Sequence, residues 1–224
     1  MSRGKKAKRP ISKKTGYLLA QLARKQNVRE LSKRYLVVCE DDKSAPRYFE
    51  TLKSYYRLDA TKIQINGSKG HTQPLQVVKR AIATKEAAKR RGSGTTPFDE
   101  VWCLIDGDYG PEIANARSSA TAQDVQLAVS TKCFEYWILL HCRRAATPTA
   151  DCDAMVSLLR AKGGIPGYTK GGCDYLSIMA DVGDACDRAK QLREAGVSNG
   201  LLLPEDHNPC TEVYKLVNRL LGRE

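Results

Sequence analysis

Three carboxylates stand at the ends of two apolar runs. Tyr35-Leu36-Val37-Val38-Cys39 leads into Glu40, and Val101-Trp102-Cys103-Leu104-Ile105 leads into Asp106-Gly107-Asp108. Both runs are rich in β-branched, aromatic and aliphatic residues and lack polar alternation. That is the pattern of strands covered on both faces of a parallel sheet. Ligand sites in open parallel sheets lie at the carboxyl ends of the strands. If the two strands are neighbours, Glu40, Asp106 and Asp108 meet at one edge. Carboxylates so placed repel one another unless a cation neutralises them. An all-oxygen donor set suits Mg²⁺ or Mn²⁺.

The elements that must position these acids follow in order. After the strand at 35–40, Ser44 serves as a helix N-cap with Pro46 in the first turn. That helix runs to about Arg57, with Tyr48, Phe49, Leu52, Tyr55 and Tyr56 at helical spacing. Lys62–Gly67 reads as a second strand. The loop Gly67–Thr72 then returns to the same edge, where Lys69 and His71 can meet phosphate beside backbone N–H groups. Pro74 opens a helix to about Arg91, and Gly92–Pro97 links it to the Asp-x-Asp strand. Residues 109–121 read as loop with one short helix, and Val125–Ser130 as a fourth strand. In the helix Lys132–Arg143, Phe134, Trp137, Ile138 and His141 share a stripe, so His141 reads as a packed, hydrogen-bonded histidine. Glu135 lies off that stripe in the first turn, where a carboxylate is favourable, and faces the edge of Glu40 and Asp106.

Helices at 151–161 and 181–195 flank the glycine-rich stretch 163–172, expected to be a mobile loop whose Tyr168 and Lys170 touch substrate. Leu201–Pro204 is expected as an edge strand. Asn208 caps a last helix opened by Pro209, with Val213, Leu216, Val217, Leu220 and Leu221 as its buried face. The fold class is α/β, a Rossmann-like parallel sheet flanked by helices with a C-terminal helical extension. The expected division is a basic arm at 1–34, a core at 35–145 and the extension at 146–224.

Composition bounds the reading. The 224 residues are 42% hydrophobic, enough for one α/β domain with a real core. No apolar run reaches bilayer length and no secretory signal is visible, so a cytoplasmic protein without membrane contact is expected. None of the eight cysteines forms a C-x-x-C pair, which argues against a zinc knuckle and for reduced thiols. Charge is concentrated: residues 1–34 hold 12 of the 37 Lys and Arg and one acid, so +11 of the net +12 lies in the arm. Arg3, Lys5, Lys6, Lys8 and Arg9 at its start are the candidate contacts to a nucleic-acid backbone. The alternative is a solvated, solubilising tail.

A strand ending in Glu, then a helix, then a later strand ending in Asp-x-Asp resembles the Toprim pattern of topoisomerases, primases and overcoming-lysogenization-defect-type nucleases. The stretches VVCEDDKSAPRYFE, FDEVWCLIDGD, VSTKCFEYWILLH and NPCTEVYKLVNRLL together resemble the RloB-like (AbiLii-type) proteins of bacterial phage defence. Where that family commonly has Gly after the first Glu, this chain has Asp41. The resemblance implies a Toprim-like core and a Mg²⁺-dependent nuclease acting on DNA or RNA, tRNA included. Glu40, Asp106 and Asp108 would be its metal ligands, with Glu40 alternatively a general base. Glu135, ahead of Asp42 and Glu50, would complete a second metal site and join the catalytic set. The resemblance further implies a partner ATPase of the ATP-binding-cassette type; this chain has no Walker motif, so any ATP dependence would come from that partner, and homo-oligomerisation is left open. Two other readings stand beside it: a non-catalytic nucleic-acid-binding or regulatory subunit of that ATPase, and, lower, a primase-like nucleotidyl transferase.

Deleting residues 1–16 removes seven Lys and Arg. The folded domain should persist, while nucleic-acid affinity drops and loses much of its salt dependence. Unchanged binding across a salt titration would make the arm a passive tail.

Overall fold

The computed structural model describes residues 33–68, 70, 73–90 and 97–223. Arg3, Lys5, Lys6, Lys8, Arg9, Lys69 and His71 therefore lie outside the described residues. Among the described residues five strands form one sheet: β1 (Tyr35–Cys39), β2 (Ile63–Asn66), β3 (Glu100–Asp106), β4 (Gln126–Thr131) and β5 (Cys210–Thr211). Their order is β2-β1-β3-β4-β5, parallel throughout except for the antiparallel β4–β5 pair. Among the described residues seven α-helices flank it: α1 (Ser44–Tyr55), α2 (Pro74–Arg90), α3 (Pro111–Ala122), α4 (Glu135–Cys142), α5 (Cys152–Arg160), α6 (Val182–Ser198) and α7 (Val213–Leu221). The chain leaves β1 through α1 to β2 on one side, then crosses by α2 to β3 on the other. The winding reverses between β1 and β3, the topological switch point where such sheets bind ligands.

The non-alternating strands are buried on both faces, as parallel strands must be. Val37, Cys39, Trp102, Leu104 and Ala128 face a core built from α1 and α4–α7, including Tyr48, Phe49, Trp137 and Leu216. Leu36, Val38, Cys103 and Ile105 face a smaller core from α2 and α3. Helix α4 is buried on every side from Glu135 to His141, so it is the centre of the larger core rather than a helix with one apolar stripe. Among the described residues, no helix is long and apolar enough to cross a membrane.

Several expectations are corrected. Leu201–Pro204 is not a strand. Arg193 donates to the carbonyls of Leu201 (2.8 Å) and Leu202, so these acceptors serve a guanidinium instead of a ladder. The last helix begins at Val213, later than Pro209. Asn208 instead brackets Thr149, donating to its carbonyl at 2.7 Å, and Cys210–Thr211 pair with β4. Where a loop with one short helix is expected, Pro111–Ala122 form a twelve-residue helix whose buried face is Ile113, Ala116 and Ala120, an alanine signal too faint to read as amphipathic. Cys133 and Cys152 form a disulfide across Cα atoms 5.6 Å apart, against the expectation of reduced thiols throughout. The other six cysteines are free.

His141 is fully packed in the larger core. Its Nδ1 lies 2.9 Å from the Trp137 carbonyl, which only accepts, so Nδ1 carries the proton. Nε2 then accepts from the Tyr48 hydroxyl at 3.0 Å. Burial first, and the Arg188 charge in the same direction, push its pKa down to about 4. The neutral ring therefore contributes stability that is present above about pH 6.5 and lost as pH falls through about 4. His141→Ala should cost on the order of 1–3 kcal/mol at pH 7. In thermal melts the gap between variant and wild type should narrow at pH 4; a constant gap would show that the ring does not titrate as assigned.

Candidate functional site

Glu40 follows β1 directly, and its backbone N–H still donates to Leu104 of β3 at 3.0 Å. The register thus carries its side chain across the β1–β3 junction. Oε2 accepts the Asp106 backbone N–H at 2.8 Å, and Oε1 accepts the Tyr109 hydroxyl at 2.8 Å. Asp106 ends β3, and its Oδ1 accepts the Phe134 backbone N–H at 3.0 Å. One chain of hydrogen bonds therefore joins the ends of β1 and β3 to the entry of α4. Gly107 keeps this edge closed. A Cβ there would lie 2.5 Å from Thr131 Oγ1 and 3.0 Å from Thr131 Cα, so any side chain would push β3 away from β4. Asp108, beyond it, is exposed.

Asp41 and Glu135 complete the acidic group. The Asp41 carboxylate accepts N–H groups of Lys43 (3.1 Å), Ser44 and Ala45 (3.2 Å). Asp41, not Ser44, therefore caps α1. Its backbone does not enter the left-handed region, so the turn after Glu40 needs no glycine. The Ser44 hydroxyl turns inward and donates to Glu135 Oε1 at 3.1 Å, joined by the Tyr168 hydroxyl at 2.9 Å. Tyr168 is buried, so it clamps Glu135 and does not wave in a mobile loop. Asp42 is exposed, lying against Gly67. Glu50 is exposed on α1 and paired with Lys53 at 2.6 Å.

The electrostatics follow from burial. Glu40 is pushed up to about 7 by burial, opposed by the Asp106 N–H and Tyr109 hydroxyl and reinforced by Asp108 and Asp41. Asp106 is pushed well above the usual carboxylate range by burial, then by Glu40, Glu135, Asp41 and Asp108. Asp41 is raised by burial against its three N–H donors, with Glu135 adding repulsion. Among the described residues no Lys or Arg pairs with Glu40, Asp41, Asp106, Asp108 or Glu135.

This donor set fits a hard divalent ion. A pocket of about 10 Å³, roughly one water, is lined by Glu40, Asp41, Asp106 and Ser130 with four apolar neighbours. No three of these carboxylates come mutually within 4.8 Å. Coordination partly through water, the habit of Mg²⁺, suits that spacing. Tyr109 is a supporting residue that sequence reasoning missed, and Asp41, Ser44 and Tyr168 support the site in roles other than those read from the sequence. Only Tyr109, directly after Asp-Gly-Asp, carried a positional signal.

A family model described as RloB-like protein matches residues 35–220. No curated protein and no solved structure matches the chain.

A raised carboxyl pKa means stability that is full below the unfolded value and lost as pH rises through the folded one. For Glu40 that window runs from 4.5 to about 7. In chelator, Glu40→Gln should relieve roughly 2–3 kcal/mol of the wild-type loss between pH 4.5 and pH 8. Because His141 acts in the opposite sense at low pH, the decisive quantity is the difference between variant and wild type. Parallel stability profiles would remove Glu40 as the strained group.

Proposed function

Since the chain belongs to the RloB-like family, we propose that it is a metal-dependent phosphodiesterase acting on nucleic acid in phage defence. The observation that carries this reading is a buried acidic group at the β1–β3 switch point with no paired cation among the described residues. Glu40, Asp106 and Asp108 would hold Mg²⁺ or Mn²⁺. Such an ion, when bound, neutralises charge on a phosphoryl oxygen and lowers the pKa of a bound water. Asp106 is aimed by the Phe134 N–H, and Glu40 by Tyr109 and the Asp106 N–H, so neither must reorganise during reaction. Alternatively, if Glu40 does not hold the ion, its raised pKa suits it to take a proton as general base. Glu135 supports the edge from behind, held by Ser44 and Tyr168. The arm would supply phosphate contacts to DNA or RNA. An ABC-type ATPase partner and a cytoplasmic setting belong to the same reading.

A second reading, a non-catalytic regulatory or nucleic-acid-binding subunit, is favoured by the small size of the pocket at the acidic edge. Cleavage of labelled single-stranded DNA, duplex DNA and tRNA, with and without the partner ATPase, tests both. Asp106→Asn is the variant of choice, because Asn still accepts the Phe134 N–H. Ala would leave that amide unpaired, at about 1–3 kcal/mol. Asp106→Asn should fold, lose calorimetric Mn²⁺ binding and lose activity beyond the roughly 10–100-fold expected of a merely supporting residue. Mn²⁺ binding without cleavage of any substrate favours the second reading, and incorporation of labelled nucleotide would point to a transferase instead.

A further inference from the structure

Behind the acidic edge lies a second group with different chemistry. One ligand atom each from Cys133, Glu135 and Cys152 lies within 4.8 Å of the other two. Cys133 is 0% exposed and Glu135 2%, and Cys152 is half-buried. Glu135 opens α4 and Cys152 opens α5, so both sit where backbone N–H groups favour negative charge. Glu135 Oε1 is fixed by the Ser44 and Tyr168 hydroxyls, the outer support that metal-binding carboxylates use. Among the described residues, the one hydrogen-bonding partner of its Oε2 is Cys152 Sγ, at 3.6 Å. A disulfide sulfur has no proton to donate, so with the Cys133–Cys152 bond formed this buried oxygen has no donor among the described residues. Such a group is costly unless something satisfies it.

We propose that Cys133, Cys152 and Glu135 form a thiolate–carboxylate site for a soft divalent cation, Zn²⁺ by its chemistry, open only when the disulfide is reduced. Two thiolates select Zn²⁺ over Mg²⁺. Three protein ligands leave a fourth, water-filled position, as in open zinc sites. The disulfide takes two electrons and two protons from a dithiol reductant, which itself becomes a disulfide. Two thiols result, and metal binding then releases their two protons to solvent. Reduction lets each sulfur swing to the roughly 2.3 Å reach of a Zn–S bond. The site needs none of the phosphodiester chemistry proposed above. The neighbouring Phe134 N–H holds Asp106, so the two sites share one stretch of backbone.

Full-length protein, reduced with a phosphine and desalted, is titrated with Co²⁺ and then Zn²⁺. Thiolate-to-cobalt charge-transfer absorption should rise to about one equivalent and be displaced by Zn²⁺, while protein with the disulfide intact shows none. Cys152→Ser should abolish the band. Glu135→Gln should weaken Zn²⁺ competition by roughly tenfold or more, and Cys173→Ser should change nothing. The proposal fails if reduced wild type gives no band, or if oxidised and reduced protein bind Co²⁺ equally. A band that survives in folded Cys133→Ser/Cys152→Ser protein, which keeps the other six cysteines, overturns it equally. If that variant does not fold, the redox comparison on wild type decides alone.

Discussion

The hydrogen bond from the Asp106 backbone to Glu40 Oε2 is the interaction on which this edge of the molecule depends. Parallel neighbours end level with one another, so their terminal acids are brought together by register rather than by side-chain attraction. Left alone, two buried carboxylates at such a junction would splay the strands. Here one of them accepts an N–H from the other's own residue, and the second accepts an N–H from Phe134. Backbone dipoles thus hold in place what charge repulsion would drive apart. Burial first, with repulsion among the neighbouring acids adding to it, raises the pKa values of Glu40, Asp41 and Asp106, and a cation at the edge would relieve both.

Much of this was legible in the sequence because it rests on patterns that cannot hide. The uninterrupted apolar runs of β1 and β3 report burial on both faces, and acids at their ends report the edge. His141 was legible as a core histidine from its helical spacing to Trp137 and Ile138. What escaped depends on contacts between residues far apart in the chain. Nothing local marks Tyr168 as the clamp on Glu135, 33 positions earlier. Asp41 and Ser44 are both acceptable caps by type, and only the inward turn of the Ser44 hydroxyl decides between them. The two-residue β5 is too short to have a period, and the Cys133–Cys152 pair has no diagnostic spacing. In α3 alanines do the packing, so its amphipathic pattern is nearly silent.

The entry of α4 separates two kinds of donor. On the sheet side the ligand atoms are all oxygen; on the helical side two sulfurs stand beside one carboxylate. On the two proposals above, hard and soft cations would be sorted by a single turn of backbone, with Phe134 supporting one site and Glu135 the other. That arrangement also explains why Glu135, though an acid near the edge, is far more enclosed than Asp108. Its hydrogen-bonding hydroxyls come from the start of α1 and from the segment after α5.

The tight packing at Gly107 has a consequence for how this chain can change over time. Its amide donates to the carbonyls of both Ser130 and Lys132, and the space where a methyl group would sit is already filled by Thr131. Every codon change that alters this residue must add at least that methyl. The position is therefore closed to gradual variation, whatever the flanking acids are selected to do. Asp108, one residue further on and in solvent, is under no such steric restriction. A lineage could drift at Asp108 and remain folded, whereas drift at Gly107 would disturb the sheet first.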